Sequence, residues 1–271
     1  MEITLKKVGT LSMIGLIWGF AAQLQADELS SIAVGFELIE PGKLSKEEIS
    51  RAFGKIDWEA LEERAIVRRD GGGKVLEVNY PRGAVASGKS GAQFVIELEQ
   101  SRYATLSYRF RPGPGFPFVK GGKLPGMTSG GSRFTGGRPP GKAGGWSARY
   151  MWRREGALEL YFYHPGMKSQ YGERHALKTT LVPGKWVELI QRIDTGEPGK
   201  KDGVIEIDVD GETKLRLEEL ELHGTKYGPV DSFFFSTFFG GNSSSWAPPE
   251  DASICFDDFL ISPEKPDFSS D

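Results

Sequence analysis

Two short strand-like segments carry polar side chains at a spacing that suits chemistry. In Trp146-Ser147-Ala148-Arg149-Tyr150, β-alternation puts Ser147 and Arg149 on one side. In Leu160-Tyr161-Phe162-Tyr163 it groups Tyr161 with Tyr163, while Leu160 and Phe162 face the other way. The intervening Arg153-Arg154-Glu155-Gly156 can turn the first strand into its antiparallel neighbour, so that all four polar side chains meet on one sheet face. Upstream, Lys123 lies in Lys120-Gly121-Gly122-Lys123-Leu124-Pro125-Gly126, where flanking glycines let the backbone approach a ligand closely. By pattern alone, a Tyr-x-Tyr strand also suits ordinary surface or core, and the glycines suit a plain loop.

Charge order singles out the same region. From Gln100 to Arg154 there is no Asp or Glu, yet these 55 residues hold eleven basic ones, among them Arg109, Lys120, Lys123 and Arg149. In a chain of net charge −3, such a block points to a focused positive surface and an anionic ligand, unless acids from other strands neutralise it in space. The acidic total excludes a generally basic nucleic-acid binder, and an acidic polysaccharide fits better. One Cys excludes an internal disulfide framework and a Cys-based zinc site, and three His leave little for a His-rich metal centre. Asp208, Asp210, Asp257 and Asp258 could bind calcium, but turn chemistry and solvent-facing strand positions explain them more simply. No metal or cofactor is therefore expected. His164 should point away from the tyrosines, whereas His175 sits on a loop that could reach the same place.

The elements that must position these groups are strands. Period-two segments recur at Val75–Tyr80, Gln93–Leu98, Ala104–Phe110, Trp146–Arg153, Leu158–Tyr163, Lys185–Ile193, Val204–Val209, Phe233–Phe239 and Ile254–Ile261. Between them run turns rich in Gly, Pro, Asp and Ser, which predicts an all-β sandwich or barrel. One helical stretch is expected within Leu44–Arg69, opened by the capping-box pair Ser45 and Glu48. Residues 1–26 read as a secretory signal peptide, with Lys6 and Lys7 before an apolar run and small residues up to Ala26. Residues 27–271 then form a single domain, secreted or periplasmic, free of the membrane after cleavage and acting as a monomer. No linker is long and polar enough to divide it.

The rhythm from Gly184 to Gly211 and the closing Phe256-Asp257-Asp258-Phe259-Leu260 resemble concanavalin-like jelly rolls. More specifically, the chain resembles polysaccharide lyase family 14, whose members cleave alginate or glucuronan. The matching segments are Tyr80-Pro81-Arg82-Gly83, Gly121 to Gly126, Trp146 to Trp152, Leu160 to Tyr163, and Ser236-Thr237-Phe238-Phe239-Gly240-Gly241-Asn242. The resemblance implies a β-jelly-roll sandwich with an open concave cleft, and it implies Lys123, Ser147, Arg149, Tyr161 and Tyr163 as catalytic residues. Arg82, Lys120, Arg109 and Asn242 are the further candidates for substrate contact. The stretches 129–145 and 165–177 do not match the family pattern with equal clarity.

The implied reaction is β-elimination on a polyuronate. A base removes the C5 proton beside a carboxylate, and an acid protonates the departing 4-O oxygen. Negative charge builds at C5, so the carboxylate needs a cationic clamp. Arg149 can grip it bidentately, and Lys123 adds a mobile charge. Tyr161 and Tyr163 are expected as the acid/base pair, with nearby cations lowering the phenol pKa from about 10 and favouring mildly alkaline pH. Ser147 is expected to orient the substrate or a Tyr hydroxyl. The rival readings are a non-catalytic polysaccharide-binding module and a hydrolase, although a region without acids suits a glycosidase poorly.

Overall fold

The computed structural model describes residues 31–269, so the expected signal segment 1–26 lies outside the described residues. Among the described residues, sixteen strands and one α-helix are formed. In chain order the strands are β1 (Ile32–Val34), β2 (Gly42–Lys43), β3 (Ile56–Ala60), β4 (Ala65–Asp70), β5 (Gly73–Tyr80), β6 (Ala92–Ser101), β7 (Tyr103–Pro112) and β8 (Gly121–Ser129). They continue as β9 (Trp146–Arg153), β10 (Ala157–Tyr163), β11 (Glu173–Thr180), β12 (Val187–Asp194), β13 (Gly203–Val209), β14 (Glu212–Leu220), β15 (Val230–Phe239) and β16 (Ala252–Ser262). Helix α1 (Lys46–Phe53) precedes β3.

Two antiparallel sheets pack face to face, as the sequence pattern predicts. The front sheet has the order β11-β10-β9-β8-β15-β6-β3, and the back sheet β14-β13-β12-β7-β16-β5-β4-β2, with β1 added along β16. The dry layer between them is built from alternate residues. Ala148, Tyr150 and Trp152 of β9, Leu160 and Phe162 of β10, and Phe233 and Phe235 of β15 meet Tyr108 and Phe110 of β7 and Leu189 and Ile193 of β12. Period two then sends Ser147, Arg149, Met151 and Arg153 of β9, and Glu159, Tyr161 and Tyr163 of β10, to the outer front face.

The helical expectation holds in part. Ser45 caps α1, its hydroxyl accepting from Glu48 N while the Glu48 carboxylate accepts from Ser45 N. The helix stops at Gly54, which takes φ +101°, and the chain beyond it alternates as β3 and β4 rather than continuing to Arg69.

Lys123 is not on a loop but on β8, a central and wholly buried strand of the front sheet. Its glycines answer close packing. A Cβ at Gly122 would lie 2.0 Å from the Trp152 ring, and one at Gly126 would lie 2.1 Å from Ala148 O. Pro125 cannot donate to a ladder, and pairing is irregular on both sides, between Leu124 and Met127 against β9 and between Phe234 and Phe238 against β15. The back sheet repairs the gap. Tyr108 Oη donates to Pro125 O (3.1 Å), Gln191 Oε1 accepts from Met127 N (3.0 Å), and Gln191 Nε2 donates to Ala148 O (2.9 Å). Gln191 is fully buried, so each bond replaces a group that would otherwise be orphaned.

Candidate active site

Register brings the candidate residues together. Lys123 pairs with Met151, which pairs with Glu159; one step along the strands, Arg149 pairs with Tyr161, and beyond it Ser147 pairs with Tyr163. On this outer face lies a cleft of about 660 Å³. Lys123, Arg149, Met151, Tyr161 and Arg174 line it, and Trp246 and Asn242 close one side.

Lys123 is nearly buried, at 9% exposure. Its Nζ donates to Met151 Sδ at 2.7 Å and stands 3.3 Å from the centroid of the Tyr161 ring. Burial pushes the amine well below the usual lysine range, and the guanidiniums of Arg149 and Arg153 push the same way, while Glu159 opposes them. The contact with the Tyr161 ring favours the cation and opposes this shift. Burial and the two guanidiniums act against the cation together, so the amine is drawn toward its neutral form.

Arg149 is also buried. Its Nη1 donates to Ser236 Oγ (3.0 Å), whose own hydroxyl donates to Gln93 Oε1 (3.0 Å), and its guanidinium carbon lies 4.8 Å from the Phe234 ring centroid. Nε is buried without a partner in the protein. Burial draws this group down to about 10, with Tyr161 and Tyr163 working against the fall.

The two tyrosines meet edge to face, with ring centroids 5.5 Å apart and hydroxyl oxygens 3.4 Å apart. Tyr163 Oη accepts from Gly137 N at 3.0 Å. The expected lowering of the phenol is corrected for Tyr161. Burial and the Tyr163 hydroxyl hold it above its ordinary value, and Arg149 only partly opposes them. Tyr161 is thus a phenol that keeps its proton.

Ser147 and Tyr163 are fully buried behind the cleft wall. Ser147 Oγ donates to Phe134 O (2.8 Å), so it and Tyr163 together hold the loop of Phe134 and Gly137 against the sheet. The expected contact of Ser147 with a Tyr hydroxyl is not made; a backbone carbonyl takes its proton instead.

The other candidates separate. Asn242 lines the cleft, whereas Lys120 does not line it but stands beside it, 5.9 Å from the Trp246 ring and donating to Ser245 Oγ (2.7 Å). Arg109 does not reach the cleft. It lies on β7 in the back sheet, paired with Asp258 (2.5 Å) and stacked 5.2 Å from Trp186. Arg102 and Arg111 of the same strand region pair with Asp194 and Asp70, so part of the basic block is neutralised by acids from other strands. Arg82 sits on the turn leaving β5, a back-sheet strand, where its backbone N–H donates to Asp251 Oδ1, and it does not line the cleft.

Neither His164 nor His175 lines the cleft. His164 stacks on Phe162 and bonds Glu173, and burial draws the His175 imidazole down on β11. Among the described residues no group of three or more His, Cys, Asp or Glu could hold a metal. Asp208 is committed to Arg192 and Thr213, and Asp257 and Asp258 to Arg109.

Sequence reasoning missed Met151, Glu159, Arg174, Phe234, Ser236 and Gln93. Alternation could have found Glu159 and Met151, two residues from Tyr161 and Arg149 on the same face. Nothing in the sequence marks Gln93 or Arg174 as their neighbours, because register between distant strands decides that.

Solved structures share the fold. The alginate lyase Aly36B superimposes with a TM-score of 0.76 at 23% identity, over 87% of this chain and 97% of its own. An alginate lyase from Aplysia kurodai gives 0.72 at 24% identity, over 87% and 99%. The alginate lyase vAL-1 from Chlorella virus gives 0.66 at 19% identity, over 83% and 98%. No curated protein matches the chain. The family model described as Polysaccharide lyase 14 matches residues 68–259, well over half of the sequence, and the chain belongs to that family.

Proposed function

We propose that this protein is an exported polysaccharide lyase that cleaves a polyuronate by β-elimination. The observation that carries this reading is the placement of a buried amine (Lys123), a proton-retaining phenol (Tyr161) and a buried guanidinium (Arg149) around one cleft. Arg149 takes the carboxylate at C5. Its unpartnered Nε and its confinement by Ser236 and Phe234 suit a fixed donor fork that waits for an anion. The neutral Lys123 amine accepts the C5 proton. The released electron pair forms the C4–C5 double bond, the C4–O bond breaks, and Tyr161 protonates the departing oxygen. As the products leave, the Lys123 ammonium gives its proton up to solvent and the Tyr161 phenolate takes one back, which restores both groups.

This assignment moves the base from a tyrosine to Lys123. A phenol held above its ordinary value is a poor base at neutral pH and a competent acid. The Tyr163 hydroxyl meets that of Tyr161 and Ser147 holds the overlying loop, so both position the acid rather than touch the reacting atoms. The family membership and the alginate lyases of similar fold support a polyuronate as substrate. Residues 1–26 support export, and one chain carries every group in the scheme, which supports a monomer.

The experiment is ultraviolet absorbance of the purified protein with polymannuronate, polyguluronate and glucuronan in turn. A rising signal from the conjugated unsaturated uronate is expected on at least one polymer. Flat traces on all three, with retention of the protein on immobilised polyuronate, would replace the enzyme by a binding module. New reducing ends without absorbance would replace elimination by hydrolysis.

A further inference from the structure

A second group of charges lies beside the proposed reaction centre. Glu159 is 5% exposed and opposite Met151 on the sheet. Both of its carboxylate oxygens accept from Arg174 Nε at 2.9 Å, Arg174 Nη2 adds a contact at 2.7 Å, and Arg153 Nε lies 3.6 Å away. One carboxylate therefore orients two guanidiniums. Arg153 follows Met151 by two residues on β9, about 7 Å further along the face. Beyond it stands Trp246, half-buried and lining the cleft, with Arg153 5.5 Å and Lys120 5.9 Å from its ring. The indole rests on Gly241, where any Cβ would lie 2.5 Å from the ring.

Two guanidiniums share one acid here, and the Arg174 side chain is 56% exposed. A network that served only to tie β9, β10 and β11 together would match its charges and bury them. An aromatic face beside spare guanidiniums suits an acidic sugar: the indole covers the apolar C–H face of a pyranose while the cations take its carboxylate.

We propose that Trp246, Arg153 and Arg174 form a second uronate subsite next to the reaction centre, oriented by Glu159, so that the cleft reads the carboxylates of neighbouring sugars along one chain. The proposal rests on the polyuronate reading above. Glu159 acts as a positioning residue, and Lys120 stands beside the subsite.

The test is calorimetric binding of a mannuronate ladder, from disaccharide to hexasaccharide, to wild type and to Trp246→Ala and Arg153→Ala. In wild type, affinity should step up at the length that first fills the subsite. Each variant should lose that step by about tenfold, equivalent to about 1.4 kcal/mol, and bind the shortest ligand as wild type does. Trp246→Phe should restore most of the step, which separates loss of the aromatic face from misfolding. Equal affinity of wild type and variants at every length, or an equal loss at every length, would overturn the subsite. Wild-type absorbance is read in parallel. Length-dependent binding without elimination would sink the lyase reading and leave the subsite standing.

Discussion

Lys123 Nζ stands 3.3 Å from the centre of the Tyr161 ring and 2.7 Å from Met151 Sδ, with no carboxylate bonded to it. A lysine in that setting has lost water and gained no counter-ion. Replacing it by methionine removes the amine and keeps the volume. Lys123→Met should lower kcat by about 10²–10⁴, the usual share of a general base, while thermal stability at neutral pH holds or rises. Retained turnover in a folded Lys123→Met protein would remove Lys123 from proton transfer.

Tyr161 and Tyr163 should differ in kind. Tyr161→Phe removes the proposed acid and should cost about 10²–10⁴ in kcat with the fold intact. Tyr163→Phe strands the Gly137 N–H that its hydroxyl now satisfies, at about 1–3 kcal/mol of stability, and should have the smaller effect on kcat. Paired melting curves and initial rates distinguish the two. An equally active Tyr161→Phe enzyme would overturn the assignment.

The dependence of kcat/KM on pH should be a broad plateau. With the neutral Lys123 amine as the proposed base, activity should rise as pH climbs through the lowered Lys123 value and fall above about 10, where Arg149 and then Tyr161 lose their protons. The same shift predicts a stability effect. Between the lowered folded value and about 10.5, the unfolded lysine binds a proton that the folded one does not, so wild type gains stability relative to Lys123→Met as pH rises. Denaturant midpoints of the two proteins across neutral to alkaline pH measure this directly, and a constant difference would contradict it.

Gln191 offers a test from the opposite sheet. Gln191→Leu strands Met127 N–H and Ala148 C=O in the core at about 1–3 kcal/mol each, and it frees the irregular part of β8 two to four residues beyond Lys123. The expected result is a lower melting temperature together with a kcat loss that persists well below the melt. A purely thermal effect would confine Gln191 to stability.

Arg109→Ala should leave kcat and KM unchanged, since this residue sits on the back sheet with Asp258 and Trp186. A large rise in KM would place substrate on the wrong face of the sandwich.

Much of this is legible in the sequence, for a physical reason. Alternation sorts Ser147, Arg149, Tyr161 and Tyr163 to one face whatever the sheet order, so their convergence needs only a hairpin. β8 is hidden because Gly122, Pro125 and Gly126 look like turn residues; they are required by Trp152, Ala148 and the repaired gap, all distant in sequence. The basic block misleads at Arg109 because the chain passes from the front sheet to the back one between Ser101 and Tyr103, and charge order cannot register that crossing. The shift of Tyr161 depends on Tyr163 and burial together, and so appears only with the packed site.

The bonds from Tyr108 and Gln191 to β8 and β9 divide the back sheet into two very different materials. Its inner side braces the strands that carry the proposed reaction centre, so volume or polarity changes there should be felt at Lys123 from more than a strand layer away. Its outer side, where Asp258 neutralises Arg109 and Trp186 stacks on it, lies away from those bonds. A resin, a dye or a fused partner coupled there would leave the opposite face free to engage a polymer many times longer than the protein itself.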